Sequence, residues 1–167
     1  MAKRVGKRTV ILEKKPYIIG YGSVVGKMEY EGPLGDEFDA HDDDSRFGED
    51  SYEKAESLLQ KIALETAMRK ANKNENDVNT VFAGDLLNQC IGSYFGLRSM
   101  GIPSIGLYGA CSTMTLGLSL ASVLIESGGA DCAAAVTSSH FCSAERQYRF
   151  PLEYGGQRTP TAQWTAT

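Results

Sequence analysis

Basic charge is in short supply in this sequence. It has 17 Lys and Arg against 21 Asp and Glu, a net charge of −4. It therefore lacks the cationic footprint by which duplex nucleic acid is held. Histidine is scarcer still. His41 and His140 are the only two, and they are the imidazole bases that these residues offer to cysteine chemistry. The four cysteines, Cys90, Cys111, Cys132 and Cys142, show neither a C-x-x-C pair nor the spacing of a metal site. That sets aside a zinc module, and in a cytosolic protein the thiols are expected to stay reduced. No apolar stretch follows the basic opening MAKRVGKR, which reads as a solvated terminus rather than a secretory leader.

What is present is the composition of a soluble globular protein: 42% hydrophobic and 23% charged, with a mean hydropathy of −0.26. The 167 residues suffice for one well-buried α/β domain. Residues 99–125 carry no charge, long enough to raise the question of a membrane span. Pro103 and glycines at 101, 106, 109 and 117 interrupt that run, so it reads as a buried strand followed by a buried helix.

Two glycine or acid patterns imitate ligand motifs and fail on spacing. Gly20, Gly22 and Gly26 resemble a dinucleotide loop, but Gly32, Pro33 and Gly35 break the helix that should follow. In the acidic stretch 35–50, counting from Asp43 puts Gly48 at the glycine position of a calcium loop. Phe47 then takes a ligand place and Lys54 the closing one. A solvated loop leading into a helix is the better reading.

The rest of the chain alternates. TVILEKKPYIIGYGSVV reads as one or two early strands with Ile18 and Ile19 buried. A helix follows, capped by Asp50 with Glu53 completing a capping box. Its apolar stripe is Ala55, Leu58, Leu59, Ile62, Ala63 and Thr66, with Lys54, Lys61 and Glu65 in solvent. VNTVFAG is a strand, LLNQCIGSYFGLRSMG a helix and IPSIGLYGA a strand. Residues 112–127 form a helix closed by Gly128 and Gly129, buried on nearly all sides because its only charge is Glu126. DCAAAVTSS is the next strand, and Cys90 and Cys132 are core filler. Strands separated by helices predict an α/β fold with a mainly parallel sheet and flanking helices.

In such sheets ligands gather at the carboxyl ends of the strands. Three polar clusters fall there: GDLLNQ, GACST and TSSHF. Cys111 is the sharpest residue among them, because a helix N-terminus favours a thiolate. A small side chain packed under the helix is the alternative. His140 follows the neighbouring strand and is either its base or simply a histidine bonded at a strand end. His41 belongs to the exposed acidic loop.

A strand, then GAC, then an apolar helix resembles the nucleophile segment of the thiolase and ketoacyl-acyl-carrier-protein synthase superfamily. More narrowly, GDLLNQC, GLYGACSTMTLGLSLA and SSHFCSAERQYRFPLEYGGQRTPTAQWTAT resemble the stage V sporulation protein AD family of spore-forming bacteria. The resemblance implies a thiolase-like fold of which residues 1–167 form the first of two halves, the second apparently missing. It implies binding of dipicolinic acid (pyridine-2,6-dicarboxylate) and help in its uptake into the developing spore, rather than turnover. It implies no cofactor, a homodimer, and membrane proteins of the same operon as partners. The location implied is cytoplasmic, with a peripheral place at the spore inner membrane.

For a flat ring with two carboxylates, the amides at the start of the 112–127 helix offer one anion contact. The hydroxyls of Ser112, Thr113, Ser138 and Ser139 and the amides of Asn88 and Gln89 offer neutral hydrogen bonds. A protonated His140 adds a charged one, as do Arg146 or Arg149 if their loop folds inward. Cys111 stands at the nucleophile position, so the alternative function is a ketoacyl-synthase-type acyltransferase acylated there. A pure interaction module, paired through its sheet edge, is the third reading.

Overall fold

The computed structural model describes residues 2–145. The chain opens with an antiparallel hairpin, β1 (Lys3–Val5) against β2 (Thr9–Ile11). An extended run leads to β3 (Val24–Gly26), the single-turn helix α1 (Lys27–Tyr30) and β4 (Ala40–Asp42), which pairs in parallel with β3. From there strands and helices alternate: α2 (Tyr52–Lys70), β5 (Thr80–Gly84), α3 (Ile91–Leu97), β6 (Ser104–Gly106), α4 (Thr113–Ser127) and β7 (Ala133–Thr137). A π-helical turn, Phe141–Glu145, follows β7.

β5 lies between β6 and β7, and both neighbours run parallel to it. The protein is thus α/β with parallel pairing in its main sheet, as the alternation of elements predicts. Every residue of β5 is buried, and the period-two alternation of a strand sorts them between two faces. Val81 and Ala83 join Leu64 and Met68 of α2 and Leu97 of α3, while Phe82 joins Leu107 and Ala121 of α4. The sheet is therefore covered by α2 and α3 on one side and by α4 on the other.

Several local expectations are corrected. The cap of α2 is Ser51, whose hydroxyl accepts from the Lys54 amide at 3.3 Å, and Asp50 instead pairs with the Lys54 ammonium. Ser51 has the extended backbone a cap requires, φ −143° and ψ 159°. Within α2, Leu58, Ile62 and Ala63 are only half-buried, whereas the polar Glu56 and Gln60 are fully buried. The helix before β6 starts at Ile91, because Gln89 and Cys90 adopt left-handed backbone (φ 61° and 53°) that cannot continue a helix backward.

Residues 17–23 are not a strand, and Ile18 and Ile19 are 68% and 46% exposed. The strip stands off the sheet, bordering an apolar cavity of about 340 Å³ with residues of α2, α4 and β7. Its glycines have a packing role. A Cβ on Gly20 or Gly22 would collide with the backbone carbonyl of Ala67 or Ala63 of α2.

α4 overturns the expectation of burial on nearly all sides. Thr113, Gly117, Ala121 and Glu126 are buried, while Met114, Leu116, Leu118, Leu120 and Val123 are 36–49% exposed. A helix forming one outer layer can bury only the stripe that meets the sheet. Here that stripe is made of small residues, and among the described residues nothing covers the rest. Its one charge, Glu126, is itself buried and accepts from the Lys14 amide at 2.9 Å. Residues 110–127 are long and apolar enough to cross a membrane, at a mean hydropathy of 1.3, yet the helix seats Gly117 against Ala135 of β7. Cys90 is buried and Cys132 half-buried, packed against the core.

Candidate functional site

Parallel strands end on one edge, and here the three polar clusters meet. β5 runs out into Gly84 and Asp85, β7 into Ser138 and Ser139, and β6 through Leu107 into the turn Ala110–Ser112 that starts α4. Between them lies a cavity of about 460 Å³, lined by residues 84–86, 110, 111, 113, 114 and 137–139. That volume suits a small ligand.

Cys111 is exposed at this cavity. Ala110 before it has φ 47°, a left-handed conformation that costs a non-glycine residue on the order of 1 kcal/mol. The kink lies where the chain turns from Gly109 into α4, and Cys111 is exposed on that turn. Thr113 anchors the turn, accepting from the Gly109 amide at 3.1 Å and donating to the Ala110 carbonyl at 2.8 Å. Ser112 donates to the Gly109 carbonyl at 2.7 Å.

The hydroxyl donors expected for an anion are thus committed elsewhere. Each hydroxyl has one proton. Those of Ser112 and Thr113 go to backbone carbonyls, and that of Ser138 goes to Glu56 Oε1 at 3.1 Å. Ser139 does line the cavity. Asn88 and Gln89 are exposed in the turn Asn88–Cys90 and form no part of the cavity wall, nor do Ser112 or His140. Arg146 and Arg149 lie outside the described residues.

His140 is 1% exposed and both its ring nitrogens are engaged. Nδ1 accepts from the Cys142 amide at 3.1 Å, which leaves Nε2 to donate to the Ser45 carbonyl at 2.6 Å. An Nδ1 that accepts belongs to a neutral imidazole, so in this state His140 supplies neither a charged hydrogen bond nor a base for Cys111. It ties the end of β7 to the acidic loop, with Tyr52 against its ring. His41 is exposed and stacked on Tyr30.

Behind the cavity stands a polar network that the sequence reading missed. Asp85, 2% exposed, accepts from the Leu87 amide at 2.8 Å, the Ser93 amide at 2.7 Å and the Ser93 hydroxyl at 2.5 Å. Gln60 Nε2 lies 3.1 Å from the Gly84 carbonyl, 3.1 Å from Ser93 Oγ and 3.4 Å from Ser138 Oγ. Glu56 contacts Ser138 and Ser143. Burial pushes the Glu56 carboxyl above its ordinary value; the hydroxyls of Ser143 and Ser138 pull the other way, and the negative Asp85 adds to the rise. Burial likewise raises the Cys90 thiol. A signal was present in the sequence. Glu56 and Gln60 are four apart, each next to a core position, Ala55 and Leu59, so they share the buried face of α2.

A parallel α/β sheet with a ligand-sized cavity at its carboxyl edge, entered by a cysteine on the turn into the following helix, defines a site-bearing α/β protein of the open-sheet class. Within that class the chain belongs to the stage V sporulation protein AD family, whose sequence profile matches residues 6–167. The stage V sporulation protein AD of Bacillus subtilis (strain 168) is 40% identical over 165 residues, which is 99% of this chain and 49% of that protein. The chain thus spans about half the length of that relative. Among solved structures, 3-oxoacyl-[acyl-carrier-protein] synthase III from Aquifex aeolicus VF5 matches 52% of this chain and 30% of its own, at 19% identity and a TM-score of 0.44.

Proposed function

We propose that this sporulation protein binds dipicolinic acid at the carboxyl-edge cavity and assists its uptake into the developing spore. The thiolase-like fold would then serve binding rather than condensation. The observation that carries this reading is the state of His140. With Nδ1 accepting and Nε2 donating to backbone groups, the imidazole has no free position from which to activate Cys111. The cavity wall includes the small residues Gly84, Ala110 and Ser139 beside the larger Leu86 and Met114. α4 begins at its rim, so the positive end of the helix dipole offers one carboxylate a favourable place. In this reading the partners are membrane proteins of the same operon, the protein sits peripherally at the spore inner membrane, and it pairs as a homodimer.

Saturable dipicolinate binding by the full-length protein, measured by calorimetry, supports this reading. No heat at millimolar ligand overturns it. The second reading, acyl transfer through Cys111, is favoured by one observation: the thiol is exposed at the cavity behind a strained turn. Intact mass after incubation with acyl-coenzyme A decides that case by the presence or absence of an adduct on Cys111.

A further inference from the structure

The hydrogen bonds behind the cavity have a direction that can be worked out atom by atom. The Gly84 carbonyl can only accept, so the Gln60 atom 3.1 Å from it is the amide nitrogen. Ser93 and Ser138 face that same nitrogen, whose two protons serve Gly84 and Ser93 at 3.1 Å and reach Ser138, at 3.4 Å, only in a shared bond. The two serines send their own protons onward to Asp85 and Glu56. Ser143 closes the chain. Its hydroxyl contacts both Glu56 Oε2 and, at 2.9 Å, the His140 carbonyl. A carbonyl cannot donate, and a serine has one hydroxyl proton. Both contacts of the Ser143 hydroxyl are hydrogen bonds only if Glu56 carries a proton on Oε2 and gives it to Ser143, which donates to the His140 carbonyl. Oε1 is then the carbonyl oxygen of a neutral acid, and it takes the proton of Ser138.

We infer that Glu56, held as the neutral acid, and Gln60 are positioning residues that turn the Ser138 hydroxyl proton away from the cavity. Ser138 then faces the cavity as an acceptor, since the Asp85 carboxylate beside it is already taken up by Leu87 and Ser93. That acceptor selects a ligand that brings a proton of its own to that side, such as an amide N–H or the O–H of a half-neutralised diacid, while the α4 side takes the anionic end. The inference rests on the cavity's being the dicarboxylate site. Neither Glu56 nor Gln60 lines the cavity, so they act through Ser138 and not on the ligand.

Two measurements on the full-length protein test this. The first needs no ligand. Infrared difference spectroscopy between the parent and Glu56→Gln at neutral pH should show the carbonyl stretch of a protonated carboxyl that the variant lacks; a carboxylate band in its place overturns the inference. The second compares pyridine-2,6-dicarboxylate with its monoamide, 6-carbamoylpyridine-2-carboxylate, which replaces one carboxylate by a donor. The parent should favour the monoamide, and Glu56→Gln should keep that preference, because glutamine keeps a carbonyl acceptor for Ser138 and a donor for Ser143. Ser138→Ala removes the acceptor and should cut the preference by about tenfold, the worth of one hydrogen bond. Glu56→Ala, which frees the hydroxyl to rotate, should shift it the same way. An equal preference in parent, Ser138→Ala and Glu56→Ala overturns the inference. Should neither compound bind the parent, the ligand reading falls and the selection falls with it, while the infrared band separately decides the protonation of Glu56.

Discussion

Ser93 gives both its backbone amide and its hydroxyl to one oxygen of Asp85, at 2.7 and 2.5 Å. The other carboxylate oxygen takes the Leu87 amide at 2.8 Å. Three donors converge on a side chain that is almost fully buried, and the three-donor cradle fixes how the chain leaves β5 and enters α3. The relation is what shapes the cavity's inner wall. A carboxylate in that place needs acceptor capacity on both oxygens.

Asp85→Asn should therefore be costly although it is nearly isosteric. Whichever way the amide is turned, its NH2 group meets a backbone N–H, either Leu87 or Ser93. Leaving a buried donor against a donor costs about 1–3 kcal/mol. Chemical denaturation with an unchanged m-value and a lowered midpoint would show this. A midpoint equal to that of the parent would mean the cradle is not formed in solution.

The cap of α2 gives a second, independent check. Ser51→Ala should lose about 1 kcal/mol, because the Lys54 amide loses its acceptor. Asp50→Ala should change the melting temperature very little, since its pair with Lys54 is an exposed one. The reverse order of effects would restore Asp50 as the cap.

These two cases show what the sequence could and could not convey. The order of strands and helices from α2 to β7 was legible because each apolar run has a clear period and a glycine or polar break after it. The meeting of GDLLNQ, GACST and TSSHF at one edge followed from parallel connectivity alone. What pattern could not tell was orientation. Asp50 and Ser51 are both good caps, and only the backbone angles choose between them. Hydropathy alone assigns Ile18 and Ile19 to the core, whereas the fold leaves them 68% and 46% exposed. Glu126 is the converse, a lone charge that the Lys14 amide makes tolerable in a buried place. Thr113 and Ser138 line the cavity and Ser112 does not. The destination of one hydroxyl proton, however, is a matter of ångströms.

Glu56 leads to a pH dependence whose sign can be worked out. Its carboxyl is raised above an ordinary value of 4.5, chiefly by burial. The folded state therefore binds the proton more tightly than the unfolded state, and stability must fall as pH rises. The contribution is complete below the unfolded value, about 4.5, and is lost progressively from there up through the raised folded value. Glu56→Gln keeps the neutral pattern at every pH. Its stability relative to the parent should improve steadily as pH increases from 4 toward 8, followed by urea midpoints at each pH. A constant difference across that range would show that Glu56 does not titrate differently in the two states.

Cys111 separates the two functional readings most cleanly. It is exposed at the cavity while Cys90 is buried, so iodoacetamide should label Cys111 first and reach Cys90 only on unfolding, as peptide mass mapping would show. If the cavity holds dipicolinate, saturating ligand should slow the labelling of Cys111 without affecting Cys142. In binding, a thiol contributes little more than a small apolar surface, and an ionised one would repel a dicarboxylate. Cys111→Ala should therefore stay within about tenfold of the parent affinity, a change of less than 1.4 kcal/mol. Cys111→Trp fills the cavity and should abolish binding while leaving the far-ultraviolet circular dichroism unchanged. Loss of dipicolinate binding in the alanine variant, together with an acyl adduct on Cys111 in the parent, would move the protein to the acyltransferase reading, and the base would then have to be sought outside the described residues.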